Sequence, residues 1–130
     1  MIALDTNVVI RALTRDEPVQ ARKASALFAS GRLFLPKTVL IELDWVLRKA
    51  YGFAHPAVND ALSRLVGLDV MEVEDRSAVI AALAWHADGL DFADALHVAS
   101  SASALEFCTF DGALAKAAST VSTSPRVRLL

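Results

Sequence analysis

Ile2-Ala3-Leu4-Asp5-Thr6-Asn7 runs three apolar residues straight into a polar turn. An apolar run without polar alternation suits a strand covered on both faces, as strands of parallel sheets usually are. The change at Asp5 ends that strand and leaves a carboxylate just past its carboxyl end. In open parallel sheets ligands bind at that edge, where neighbouring crossovers diverge.

Outward from this strand the chain alternates helix and strand. Val8 to Leu13 reads as helix, with Arg11 and Arg15 one helical turn apart. Asp16 is a candidate N-cap for a second helix, which tolerates Pro18 in its first turn and which Gly31 can end. Leu33-Phe34-Leu35, closed by Pro36, is a second short strand. Between Thr38 and Tyr51 the apolar residues Val39, Leu43, Val46, Leu47 and Ala50 recur at helical spacing, and Gly52 fits a stop. A helix is expected after Pro56 through Ala61, Leu62, Leu65 and Val66, and a strand within Asp69 to Glu74. Arg76 to Ala87 and Phe92 to Ala104 read as helices, Glu106 to Phe110 as a strand, and Gly112 to Ala118 as a short helix. The last strand is either Val121 to Thr123 or Val127 to Leu130. Strands separated by helices imply parallel pairing, right-handed crossovers and helices on both faces, a doubly wound α/β arrangement. With no repeat or linker, residues 1–130 are expected to form one domain.

The chain has 130 residues, 55% of them hydrophobic, enough to bury a core without disulfides or structural zinc. Cys108 is the only cysteine, which excludes an internal disulfide or thiolate metal site, and its setting suits a buried strand residue. No apolar stretch approaches the roughly 20 residues that span a bilayer, and Met1 to Leu4 lacks the form of a signal peptide, so the cytoplasm is the expected location. A net charge of −2 argues weakly against binding nucleic acid through a broad basic surface. It leaves open an acidic metal site with cations elsewhere.

The acids fall where chemistry would need them. Asp5 and Asp111 each follow the carboxyl end of an expected strand. Glu42 lies between Ile41 and Leu43 in a helix otherwise built from core residues, where an ionised carboxylate is costly unless paired or metal-bound. Asp94 has the same character among Phe92, Ala93, Ala95 and Leu96. Asp91, three residues earlier, reads first as a helix cap beside it. Crowded carboxylates raise one another's pKa until a cation neutralises them, and hard oxygen donors without histidine or cysteine suit Mg²⁺ or Mn²⁺.

Four stretches carry a resemblance: Ile2-Ala3-Leu4-Asp5-Thr6-Asn7, Val39-Leu40-Ile41-Glu42-Leu43, Gly89-Leu90-Asp91-Phe92-Ala93-Asp94-Ala95-Leu96-His97 and Thr109-Phe110-Asp111. No single one is specific, but in this order and spacing they make nearly the whole chain resemble PIN-domain proteins, and among them the VapC-type ribonuclease toxins of bacterial toxin–antitoxin modules. The resemblance implies a three-layer α/β/α fold with a central, mainly parallel sheet of about four or five strands. It implies a metal-dependent endoribonuclease using Mg²⁺ or Mn²⁺, with Asp5, Glu42 and Asp94 as the main metal and catalytic acids. Asp111 is the fourth, at a position less uniform in the family. Thr6 and Thr109 match polar positions that orient Asp5 or a metal-bound water. It also implies a homodimer, a VapB-like antitoxin that blocks the site, and RNA as substrate, often tRNA or another structured RNA. A PIN-like module that binds RNA or a protein without cleaving is the alternative.

RNA beside an acidic pocket needs nearby cations. Arg11, Arg15 and Lys49 are the candidates, with Arg22, Lys23 and Arg48 also available; each also reads as solvated surface charge. Trp45, three residues after Glu42, reads as core, with base stacking or a protein interface as alternatives. His97 reads as a satisfied, partly buried histidine near Asp94. A phosphotransfer receiver would want paired acids after the first strand, and a haloacid-dehalogenase-like phosphatase a second aspartate two residues after the first. Thr6 and Asn7 deny both.

Overall fold

The computed structural model describes residues 1–130. Strand β1 (Ile2–Ala3) pairs with β2 (Leu33–Leu35), which pairs with β3 (Met71–Val73). Both pairings are parallel, in the register Ile2↔Leu33 and Leu33↔Met71. β2 is the middle strand: Leu33 and Leu35 are fully buried and Phe34 is half-buried, so both faces are covered. β3 alternates instead, burying Met71 and Val73 while Glu72 reaches out to Arg32 at 3.0 Å.

Strand β4 (Glu106–Thr109) pairs with β5 (Arg126–Leu129), again in parallel. Glu106 anchors that pairing by accepting from Arg126 at 3.0 Å and Arg128 at 3.1 Å. The α/β class is therefore as expected and every strand pairing is parallel. The five strands nonetheless divide into hydrogen-bonded ladders of three and two, with β1 at an edge of the larger one.

Seven helices connect the strands: α1 (Thr6–Thr14), α2 (Pro18–Phe28), α3 (Lys37–Lys49), α4 (His55–Val66), α5 (Arg76–Ala87), α6 (Phe92–Ala99) and α7 (Gly112–Val121). α1 packs on α2, α5 on α6, and α3 on α1, α4 and α6. Their contacts are aliphatic. Leu40, Leu43 and Leu47 of α3 meet a single core that includes Val58 and Leu62 of α4, Val79 of α5 and Leu96 of α6. Phe92 is the one phenylalanine among the largest fully buried side chains. Each such residue contributes about 1.5–3 kcal/mol through burial.

Several expected boundaries move for local reasons. Glu17, not Asp16, caps α2, accepting from the backbone N–H groups of Val19 and Gln20 at 3.3 and 2.6 Å. Asp16 instead accepts from Thr14 Oγ1, the Tyr51 hydroxyl and Arg11. α6 ends at Ala99 rather than Ala104, and Ser101 just beyond it turns its hydroxyl back onto the His97 carbonyl. α7 continues to Val121 and stops at Ser122, whose φ is 57°, so the final strand is the later of the two alternatives. Cys108 is exposed rather than buried, because the β4–β5 ladder has an open face. Trp45 is 57% exposed and so is not a core residue.

Candidate functional site

Asp5 follows β1 after one residue and Asp111 follows β4 after one residue, and each caps the helix that comes next. Asp5 Oδ1 accepts from the Thr6 N–H at 2.7 Å. Asp111 Oδ1 accepts from Ala113 and Leu114 at 3.0 and 3.1 Å, and the Asp111 N–H donates to Thr109 Oγ1 at 3.0 Å. A capping aspartate therefore spends one oxygen on the helix and leaves the other for a ligand. Thr109 orients Asp111 rather than Asp5.

Asp91 caps α6 through the Asp94 N–H at 3.0 Å, as its position suggested, and Asp94 sits in the first turn of that helix. Asp94 is half-buried, and its carboxyl is raised above the usual carboxylate range. Burial is the largest cause, followed by the charges of Asp91 and Asp111, while His97 opposes them. The fold therefore sets the end of β4 close enough to the start of α6 for Asp111 to act on Asp94. His97 itself is exposed and makes no hydrogen bond to Asp94, contrary to the partly buried role expected for it.

Asp5 and Glu42 share a different wall. With Thr6, Asn7, Arg11 and Tyr51 they line one cleft of about 340 Å³ between α1 and α3. Glu42 is exposed there, so it is not a carboxylate forced into the core. The buried acid of α3 is Asp44, 2% exposed, two residues on. The helix buries Leu40, Leu43, Asp44 and Leu47, a spacing of three, one and three that leaves Glu42 outside the stripe. Arg48 satisfies Asp44 with two hydrogen bonds, Nε to Oδ1 at 3.0 Å and Nη2 to Oδ2 at 3.1 Å. The i,i+4 spacing of Asp44 and Arg48 was the available signal for this pair.

None of Asp5, Glu42, Asp94 and Asp111 forms an ion pair with lysine or arginine. As the side chains stand, no three acids, histidines or cysteines are grouped to hold one metal ion. The donor chemistry nevertheless fits a hard divalent cation. Each capping carboxylate keeps a free oxygen, Asp94 is crowded by like charge, and the buried hydroxyl of Thr6 beside Asp5 has no hydrogen-bond partner. An orphaned buried oxygen is unusual and suits a water or ion held nearby.

The expected cations separate. Arg11 borders the cleft, but its guanidinium already donates to Gln20, Asp16 and Tyr51. Arg15 caps the end of α1 in a left-handed conformation and donates to Ser25. Lys49 is exposed at the end of α3 without an ion pair.

Beneath the α6 turn lies a polar pair that sequence reading passed over. His86 is 1% exposed, its ring 3.9 Å from that of His55, and its Nδ1 accepts from the Asn59 amide at 2.9 Å. Burial, then the charge of His55, pushes its imidazole down to about 4. An unfolded histidine titrates near 6.5, so the fold keeps its full stability from neutral His86 above about pH 6.5 and loses it as pH falls toward 4. The loss is on the order of 3 kcal/mol. Unfolding curves at pH 7 and 4.5 should show a smaller drop for His86→Gln than for the natural protein. Equal drops would remove His86 from the acid response.

The chain is thus a parallel α/β domain with carboxylates just past the ends of β1 and β4, on α3 and in the first turn of α6. The sequence matches the PIN domain family over residues 2–119, and the chain belongs to that family. PIN domains are generally nucleases and generally use divalent metal ions. No curated protein and no solved structure matches the chain. No helix is long and apolar enough to cross a membrane.

Proposed function

We propose that this PIN domain is a metal-dependent endoribonuclease, the toxin of a VapBC-type toxin–antitoxin pair acting in the cytoplasm. The observation that supports it best is that Asp5, Glu42, Asp94 and Asp111 all lack a lysine or arginine partner, while Asp94 is held above the usual carboxylate range first by burial and then by Asp91 and Asp111. Asp5 and Asp94 would hold Mg²⁺ or Mn²⁺, with Glu42 and Asp111 completing the shell directly or through water. A divalent ion, when bound, neutralises charge on the phosphoryl oxygen and eases deprotonation of water.

The chain's own groups would do the rest. Asp5 and Asp111 are exposed, and each keeps one carboxylate oxygen that is not engaged in capping. Glu42, exposed on the cleft wall, is free to orient an attacking water toward the phosphate. Thr6 Oγ1 would orient Asp5 or a water beside it. RNA, a VapB-like antitoxin and a second copy of the chain are the partners that go with this reading.

A non-cleaving module that binds RNA or protein would use the same exposed carboxylates and cations without hydrolysis. Turnover separates the readings. Purified protein incubated with total cellular RNA and Mg²⁺ should generate discrete new 5′ ends that EDTA abolishes and Mg²⁺ restores. Folded, antitoxin-free protein that leaves the RNA intact would decide for the non-cleaving module.

A further inference from the structure

The acid cleft does not end at Arg11. Asn7 and Arg11 also line a second, adjoining cavity of about 400 Å³ between α1 and α2. Its size falls within the about 300–1,000 Å³ typical of clefts that hold small organic groups. Two helix faces build it. From α1 come Asn7, Val8 and Arg11, spaced as one face; from α2 come Gln20, Lys23, Ala24 and Leu27, spaced likewise.

The chemistry of these walls differs from that of the acid cleft. Val8 and Leu27 are half-buried, and Ala24 is buried at 4%, so the floor is apolar and small. The rim is polar and cationic. Arg11 Nε donates to Gln20 Oε1 at 2.7 Å, which sets the Gln20 amide across the groove with its N–H₂ unused by that bond. Asn7 is exposed at the junction of the two cavities. Lys23 is exposed and has no carboxylate partner, so its ammonium is unneutralised. Arg22, its neighbour in sequence, does not line the groove.

We propose that the α1–α2 groove is the subsite for the RNA nucleotide next to the cleaved bond, with Lys23 contacting its phosphate and Asn7 and Gln20 meeting the edge of its base. The assignment rests on the endoribonuclease reading for its substrate class. It stands on continuity with the acid cleft and on charge: a polyanion drawn to an acidic centre needs unpaired cation beside it, and Lys23 is the unpaired cation in the groove. Val8 and Leu27 offer a base an apolar surface while the amides fix its orientation. Arg11 separates the two cavities and contributes to both rims, its charge already shared with Asp16.

The test uses the full chain carrying Asp94→Asn and a fluorescein-labelled 12-nucleotide single-stranded RNA of mixed sequence, with affinity measured by anisotropy from 50 to 200 mM salt. Adding Lys23→Gln should weaken binding about fivefold and lower the slope of log affinity against log salt by about one, the signature of a lost phosphate contact. Adding Arg22→Gln instead, one residue away on the same exposed helix, should leave the slope within error. Lys23→Gln and Arg22→Gln that behave alike would overturn the subsite. So would an absence of RNA binding by the folded protein. Cleavage of the same RNA by the natural chain is followed in parallel. A slope change without cleavage would keep the groove and sink the nuclease reading; cleavage without a slope change would do the reverse.

Discussion

Asp94→Asn is expected to lower RNA cleavage by at least about a hundredfold, the usual scale for removing one charge-stabilising group from a catalytic site, while leaving the metal-free protein no less stable. The two outcomes have one cause. The raised pKa of Asp94 means that its ionised form is disfavoured in the fold, first by burial and then by Asp91 and Asp111. A group of this kind opposes folding at neutral pH, and the penalty fades as pH falls through the folded pKa and the carboxyl takes up a proton. Asparagine keeps the size of the side chain and removes the charge, so the repulsion disappears along with the ligand. Thermal unfolding at pH 7 without metal should therefore give a Tm equal to or above that of the natural chain. With Mg²⁺ the order should reverse, because binding to the folded state alone stabilises it. A fully active Asp94→Asn protein would sink the assignment of Asp94, and a strongly destabilised one would show that its charge is structural.

Arg48→Ala should be strongly destabilising, although Arg48 lies outside the aliphatic core. Breaking a buried ion pair by removing one partner costs about 3–5 kcal/mol because the other charge is left unpaired. Asp44 is 2% exposed on its side chain, whereas Arg48 is 30% exposed, so water can reach part of the gap. A loss of about 3 kcal/mol, at the lower end, is therefore expected. Arg48→Lys should recover only part of it, since an ammonium cannot reproduce the paired Nε and Nη2 bonds. Replacing the pair with Asp44→Leu and Arg48→Met should come close to neutral, because no buried charge remains. Glu42→Gln, exposed on the same helix, provides the comparison and should change stability little. Urea denaturation of the variants gives the ranking. Arg48→Ala as stable as Glu42→Gln would show that Asp44 is solvated in solution.

Asp44 and Glu42 illustrate what a helix hides from sequence reading. Both sit among apolar neighbours, and the costlier position was expected to be Glu42. Which carboxylate is buried depends on the rotational phase of α3 against α4 and α6, and a two-residue shift turns a side chain by about 200°. The same limit applies to Trp45, exposed where a core role was expected. Lys23 and Arg22 look equivalent in sequence, yet α2 places only Lys23 in the groove.

The alternation of strands and helices up to α7, the α/β class, and the carboxylates just past the ends of β1 and β4 were legible in the sequence. These are local properties. Apolar runs, helical periodicity and capping residues act over a few neighbours, so Asp5, Asp91 and Asp111 each cap the helix that follows them in the chain. Packing of the helices sets Asp5 in one cleft with Glu42 and exposes Asp94 to the charge of Asp111 from another segment. The tertiary structure alone split the strands into two ladders and buried Asp44 and His86. Such pairings join residues far apart in the chain, and their energies depend on burial and distance after the helices have packed, which no local pattern encodes.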